Sequence, residues 1–424
     1  MCTVATWAGW PPGWAWGLAG VAGLAVTTWH RWRTDWAFPA RLAAALVGLG
    51  CAGRTEDGAA LEPRRVGRPV RAGATVTTRW RLPLGVTVAE VTAPADALGE
   101  HLDAGDSVWS DGASCVIRCA RGRIPAHVSL SGFERTRPLG DGCWLGPGIG
   151  RVGPAWVDLA TCPHVVVGGT TGGGKSVFLR QACTGLAGAY GPDRLRLALV
   201  DLKGGTELAP LGTWPHAWGP VADHLDAAAD LLAGVRGELA WRLAALRIAG
   251  VSDVGALTVT NAGRPPWLRC LVVVDEMAEA TCAAGGADRA TRDAQQAVAG
   301  GLAALARLGR AAGVHLLLAT QRPDAEAVPG QLKANCTGTL AFRVRTAANS
   351  WILLDGDRAA HLPQHPGRAL WVTDTVTELQ VPACDRAESE AWVGAGARAR
   401  AQAPAALVRQ RAQTASASSD GVVE

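Results

Sequence analysis

Eight consecutive residues, Gly169-Thr170-Thr171-Gly172-Gly173-Gly174-Lys175-Ser176, have the types and spacing of a phosphate-binding loop, G-x-x-x-x-G-K-[ST]. Cradling a phosphate requires backbone N–H groups turned inward, which glycine permits, and a helix N-terminus whose partial positive charge faces the anion. Here Lys175 would reach the β- and γ-phosphates of a bound triphosphate. The Ser176 hydroxyl would take a Mg²⁺ position, and Val177 would begin the helix that follows. Hydrolysis also needs acids on a neighbouring strand. Leu271-Val272-Val273-Val274-Asp275-Glu276 supplies them, with Asp275 expected to hold the metal through water and Glu276 expected to polarise the attacking water as general base. A further apolar run, 314–320, leads into Gln321-Arg322-Pro323, where Gln321 could touch the γ-phosphate and report its loss. Phosphoryl transfer benefits from a cation at the transition state, often from a neighbouring subunit, and Arg310, Arg343 and Arg345 are candidates.

One compositional bias sharpens this reading. Of 41 basic residues only three are lysine, Lys175, Lys203 and Lys333. In a chain that otherwise uses arginine, positions that keep a compact ammonium are candidates for needing one, because the two cations are not interchangeable at a phosphate cradle.

Elements that could position these residues recur along residues 141–385. Strand-like runs are expected over 164–167, 195–201, 270–275, 314–320, 338–344 and 368–372, with helical runs between several of them, over 177–189 and most clearly over 221–250. In that last run Leu225, Ala229, Leu232, Val235, Leu239, Leu243 and Leu246 recur at three- and four-residue spacing. Strands alternating with helices predict an α/β domain with a mainly parallel sheet covered on both faces.

Upstream, residues 1–29 carry no Asp, Glu, Lys or Arg, and the stretch 7–29 is long enough to cross a bilayer, with tryptophans at both ends. Arg31 and Arg33 follow, which by the positive-inside rule would leave the rest of the chain cytoplasmic, anchored at the cell membrane. The four expected regions are a membrane-associated segment (1–55), a linker and small α/β module (56–140), the nucleotide-binding domain (141–385) and a low-complexity tail, a helix fading into disorder (386–424). Within the second region, 55–74 reads as linker, 75–82 and 116–119 as strands, and 88–102 as a helix.

A hydrophobic fraction of 48% and a charged fraction of 18% exclude a largely disordered chain, and a net charge of +4 permits a nucleic-acid partner without arguing for one. Eleven cysteines, mostly scattered singly and several within apolar runs, read as buried thiols of a reducing compartment rather than a disulfide framework or zinc site.

Taken together these stretches resemble the motor domain of the FtsK/SpoIIIE family, within the HerA–FtsK group of P-loop ATPases. The resemblance rests on residues 163–177, on Val200-Asp201-Leu202-Lys203-Gly204-Gly205, on Val273-Val274-Asp275-Glu276, and on 311–323 followed by Leu332-Lys333-Ala334-Asn335. It implies a RecA-like motor using ATP and Mg²⁺, assembled as a homohexameric ring with nucleotide between subunits and double-stranded DNA through the centre. It also implies a trans-acting role for Arg310. The whole chain is similar to compact actinobacterial plasmid and integrative-element transfer proteins, whose cargo is DNA passed between cells. Lys203, Arg322 and Lys333 are candidate DNA contacts, with a structural or nucleotide-side role as the alternative for each. Two departures stand out. Trp351 occupies a position where the family often has arginine, and no C-terminal winged-helix reader of short DNA repeats is expected. The alternative functions are a protein-secretion motor of related build, a non-enzymatic membrane scaffold, and, more remotely, a kinase or GTPase. Retention of Lys175, Ser176, Asp275 and Glu276 argues against the scaffold.

Overall fold

A computed structural model describes residues 42–401, apart from 49, 55–59, 73–74, 93–104, 112–113, 121, 141, 205, 257–268, 283–287 and 325–326. The expected membrane stretch 7–29 and residues 402–424 lie outside the described residues. Among those described, no helix is long and apolar enough to cross a membrane. The chain divides into two units, residues 1–122 and 123–424. The sequence placed the corresponding boundary at 140, but the short helix Leu130–Glu134 belongs to the second unit, where Phe133 stacks on Trp156.

The first unit contains a two-stranded ladder, β1 (Gly53–Arg54) with β2 (Ala60–Leu61), and a four-stranded antiparallel sheet. In that sheet β3 (Arg64–Ala72), β4 (Thr75–Arg81), β5 (Gly105–Asp111) and β6 (Ser114–Ala120) run in the order β3-β4-β6-β5. One face closes on a core of Val76, Trp80, Cys115, Ile117 and Cys119, together with Leu42 and Leu46 of the helical residues 42–48. The helix beginning at Val88 is described to Thr92. Residues 64–72 are strand, not the expected linker, although they include Pro69. The reason is positional: β3 is an edge strand whose register shifts between Val66 and Val70, and edges and bulges are where a sheet tolerates proline.

The second unit is built on one nine-stranded sheet. Its strands are β7 (Trp144–Gly150), β8 (Gly153–Asp158), β9 (His164–Gly168), β10 (Leu195–Val200), β11 (Arg269–Val274), β12 (Val314–Thr320), β13 (Gly338–Phe342), β14 (Arg368–Val372) and β15 (Val376–Gln380). The order is β10-β11-β12-β9-β13-β14-β15-β7-β8. The first five are parallel, as expected, whereas β14, β15, β7 and β8 continue the sheet antiparallel.

Alternating side chains of the parallel strands enter two cores. Leu197, Leu199, Leu271, Val273 and Val167 pack with Phe178, Leu179 and Leu186 of the helix Lys175–Ala189 on one face. Ala198, Val200, Val272, Val274 and Leu316 pack with the helices Leu225–Ala249 and Arg289–Ala312 on the other. Two-sided burial explains why these strands read as continuous apolar runs.

The helix expected at the start of the tail is present over residues 386–401. Ser389 and Val393 are buried, Ser389 Oγ lies 2.5 Å from Thr184 Oγ1, and Arg400 Nη1 donates to Gly188 O at 2.7 Å. This helix therefore braces the one that carries Lys175.

Candidate nucleotide site

Parallel register brings the functional residues to one sheet edge. Gly168 pairs with Thr320 and Val274 with both Val200 and Leu318. The loop after β9, Asp201 after β10, Asp275 and Glu276 after β11, and Gln321 after β12 therefore emerge side by side. β9 lies between β12 and β13, where the chain order of neighbouring strands reverses, and such switch points at carboxyl ends of strands are where open α/β sheets bind ligands.

The loop geometry depends on its glycines. Gly169 (φ +151°), Gly172 (φ +78°) and Gly174 (φ +121°) adopt backbone conformations that L side chains avoid. A Cβ at Gly169 would also sit 2.5 Å from Phe342 Cβ, so β13 presses against the loop from behind. Thr170 N and Oγ1 both donate to Arg343 O, at 3.0 and 3.2 Å. The 15-residue helix that follows has Gly174 as N-cap, no side-chain cap and no acid in its first turn. Three other helices of this unit are capped by Ser129, Asp288 and Thr346 side chains. An uncapped, acid-free N-terminus preceded by a glycine loop is suited to an anion.

Lys175 is buried, and its ammonium donates to Gly169 O and, at 2.9 Å, to Thr170 O. Burial lowers its pKa to about 8, with Lys203 adding to the effect and Glu276 and Asp275 opposing it. Asp275 is raised to about 6, chiefly by burial and further by Asp201, Glu207 and Glu276, while Lys203 pulls the other way. Glu276 is buried too. Its Oε1 accepts from Thr320 Oγ1 (2.8 Å) and Gln321 N (3.0 Å), and Oε2 lies 2.7 Å from Lys203 Nζ and 3.2 Å from Gln321 N. The Gln321 side chain accepts from Thr171 Oγ1 at 2.8 Å, tying the β12 terminus to the loop.

Lys203 thus stands on the nucleotide side rather than free for DNA. Arg322 is exposed on the turn after β12, and Lys333 pairs with Asp355 at 2.9 Å on the segment leading into β13. Arg343 and Arg345 follow β13 at the loop's own edge. Arg310 lies elsewhere: it ends the helix before β12, and its Nε donates to Ala160 O, ahead of β9. The five residues of β9 separate it from the loop, roughly 17 Å at ~3.3 Å per residue.

Two residues that the sequence reading did not single out as functional complete the site. Thr320 hydrogen-bonds Glu276, and Asp201 accepts from Lys203 N, Glu207 N and Leu208 N (3.3, 2.9 and 3.0 Å), folding the turn that carries Lys203. The available signal was the same for both, a polar residue directly ending an apolar strand run.

The FtsK/SpoIIIE family profile matches residues 142–325. The chain is 33% identical over 214 residues to the DNA translocase FtsK of Tropheryma whipplei, covering 48% of this chain and 27% of that protein. It is 31% identical to the DNA translocase SftA of Bacillus subtilis, covering 48% of this chain and 20% of the relative. The chain therefore spans about a quarter of the length of these relatives. Among solved structures, the pCW3 conjugation coupling protein TcpA, in its monomer form with ATPγS, superposes with a TM-score of 0.59 at 24% identity, covering 84% of this chain and 98% of that one. The cytoplasmic domain of the Thermomonospora curvata type VII secretion ATPase EccC gives 0.50 at 25% identity, covering 62% and 31%. Residues 142–325 are thus similar to the FtsK/SpoIIIE family.

Proposed function

We propose that this chain is an ATP-hydrolysing motor that moves double-stranded DNA. The observation that carries this reading is the convergence of the Lys175 loop, Asp275, Glu276 and Gln321 on one sheet edge within a region similar to the FtsK/SpoIIIE family. Relatives named DNA translocases supply the cargo, and a conjugation coupling protein of the same fold points to transfer of DNA between compartments. In this reading residues 142–385 are a RecA-like motor. The backbone from Gly169 to Ser176 wraps the triphosphate, and Lys175 turns from the loop carbonyls onto it. The Ser176 hydroxyl and Asp275 carboxylate are hard oxygen donors of the kind Mg²⁺ takes, and would hold an ion that supplies positive charge against the phosphates. Glu276 takes a proton from the attacking water, and Gln321 communicates the state of the site to the exposed turn at Arg322.

Arg310 is too far from its own loop to serve it, which favours a ring in which it completes a neighbour's site. Mixing Arg310→Ala chains with Lys175→Ala chains should restore part of the ATPase activity that either lacks alone, since some interfaces then pair an intact loop with an intact arginine. A mixture as inactive as its components would remove the trans role. Residues 7–29 would anchor this motor at the membrane, leaving it on the cytoplasmic side.

The charge states of two residues define a pH window. Asp275 is ionised only above about 6 and Lys175 protonated only below about 8. Mg·ATP affinity, measured by calorimetry, should peak between these values and fall about tenfold per pH unit on the acid side, where metal must displace a proton. Asp275→Asn should flatten the acid limb.

The reading itself is tested by ATP turnover of the full chain with and without duplex DNA. Duplex should stimulate turnover, and the stimulation should collapse with added salt, because phosphate contacts release counterions. Turnover indifferent to duplex but raised by a polypeptide substrate would favour a secretion motor, the activity named for EccC.

A further inference from the structure

We propose that the outer face of the small antiparallel sheet, along strands β3 and β4, docks on the anionic headgroups of a bilayer. It rests on the reading of residues 7–29 as an anchor for nearness to a membrane, and on the sheet itself for the rest.

One face of this sheet is closed by its core, and the register assigns the other. Arg64 pairs with Arg81, Val66 with Arg79 and Val70 with Thr77, so these residues share the face opposite Val76 and Trp80. Arg64, Arg79 and Arg81 are exposed, as are Arg65 and Arg68 along the β3 edge. Strands β3 and β4 contain no aspartate or glutamate. Among the described residues Arg64, Arg65, Arg68 and Arg81 have no carboxylate partner, and the exposed Glu62 just upstream pairs with none of them. Like charges placed directly across a ladder destabilise it. The Arg64–Arg81 pair therefore costs stability in the sheet alone, and an anion lying across both guanidinium groups would relieve it.

The apolar residues beside these arginines favour lipid over nucleic acid. Val66 and Val70 are 38% and 65% exposed, and Leu84, three residues beyond Arg81, is 90% exposed. A duplex backbone offers such side chains nothing to bury against, whereas the boundary between headgroups and acyl chains accepts basic and aliphatic groups together. Chain continuity supplies the location. Gly53 lies against Pro83 and Leu84, so the incoming chain meets the sheet at the end where Arg64 and Arg81 pair. Residues 30–41 separate the uncharged stretch from the helical residues 42–48, a reach of about 40 Å when fully extended. Basic groups feel an anionic leaflet only within a Debye length, about 8 Å at physiological salt, so the face must rest on the surface for its charge to act.

The test is hydrogen–deuterium exchange of the full chain reconstituted with phosphatidylcholine bilayers, with and without phosphatidylserine. A basic residue at such a surface strengthens attachment about fivefold, so three give on the order of 100-fold. Phosphatidylserine should therefore slow exchange of the β3 amides ~10-fold or more, while the β11 and β12 amides stay unchanged. The triple variant Arg64→Gln, Arg68→Gln, Arg81→Gln should lose that slowing and keep its melting temperature, since it removes a like-charge pair. In the wild-type chain, raising salt to about 1 M, where the Debye length is ~3 Å, should release β3 without any substitution. Exchange that is alike in neutral and anionic bilayers would overturn the proposal. Slowing by duplex DNA in neutral bilayers, with none from phosphatidylserine, would also overturn it and make this a nucleic-acid face. Failure of the anchor reading looks different: the chain would leave neutral bilayers on flotation, while anionic ones still retained it through the sheet.

Discussion

Lys175→Ala will remove nucleotide-dependent activity while leaving the fold intact. The ammonium makes its hydrogen bonds inside the loop, to Gly169 O and Thr170 O, and would exchange them for phosphate oxygens. Charge-assisted hydrogen bonds are worth about 1.5–3 kcal/mol each, so losing two should cost at least ~100-fold in kcat/KM. Stability should not fall with it. Burial holds the pKa at about 8, below the ordinary lysine value, so the folded chain disfavours the charged form and neutral alanine relieves that cost. A lysine whose pKa is lowered on folding destabilises at pH 7, and the penalty fades as pH rises above 8. Phosphate release and a thermal melt on the same preparation are enough. A melting temperature that collapses with activity would make Lys175 structural. Lys175→Arg should not rescue, because a planar guanidinium does not replace a compact ammonium at a phosphate cradle.

Glu276→Gln gives the second large effect, and it separates binding from chemistry. Glutamine still accepts from Thr320 Oγ1 and Gln321 N, so the β11 and β12 termini stay joined. The side chain can no longer take a proton. Turnover should fall by ~10²–10⁴-fold with ATP affinity unchanged, yielding a chain that holds ATP without cleaving it. Calorimetric ATP binding beside single-turnover phosphate release would show the split. Equal loss of both would mean that Glu276 shapes the site rather than acting in it.

The sequence revealed most of this site because its signals are local. A glycine loop leading into a helix, an acid pair ending an apolar strand, and Gln321 closing another strand each lie within a few residues, and parallel register then aligns them. The less legible parts depend on contacts distant in sequence. The strands β7 and β8 contain Gly-Pro-Gly and Gly-Pro steps that read as turns, yet Gly148 lets β7 approach Gln380 of β15 closer than any side chain would allow. The edge strand β3 was hidden by arginines and a proline that an interior strand would not accept. Asp201 and Glu276 appear in the sequence as acids, but their opposite duties, folding a turn and meeting Lys203, become visible only in three dimensions.

The helix over residues 386–401 bears on how the motor can be dissected. A Cβ on Gly396 would run into the Gly188 backbone, and one on Gly188 would run into the Trp392 indole. Cutting the chain at 385, where its composition turns simple, would strip that cover from the far end of the phosphate-binding helix and leave an apolar seam open to water. A fragment meant to behave as the intact ATPase should therefore extend at least through Arg400.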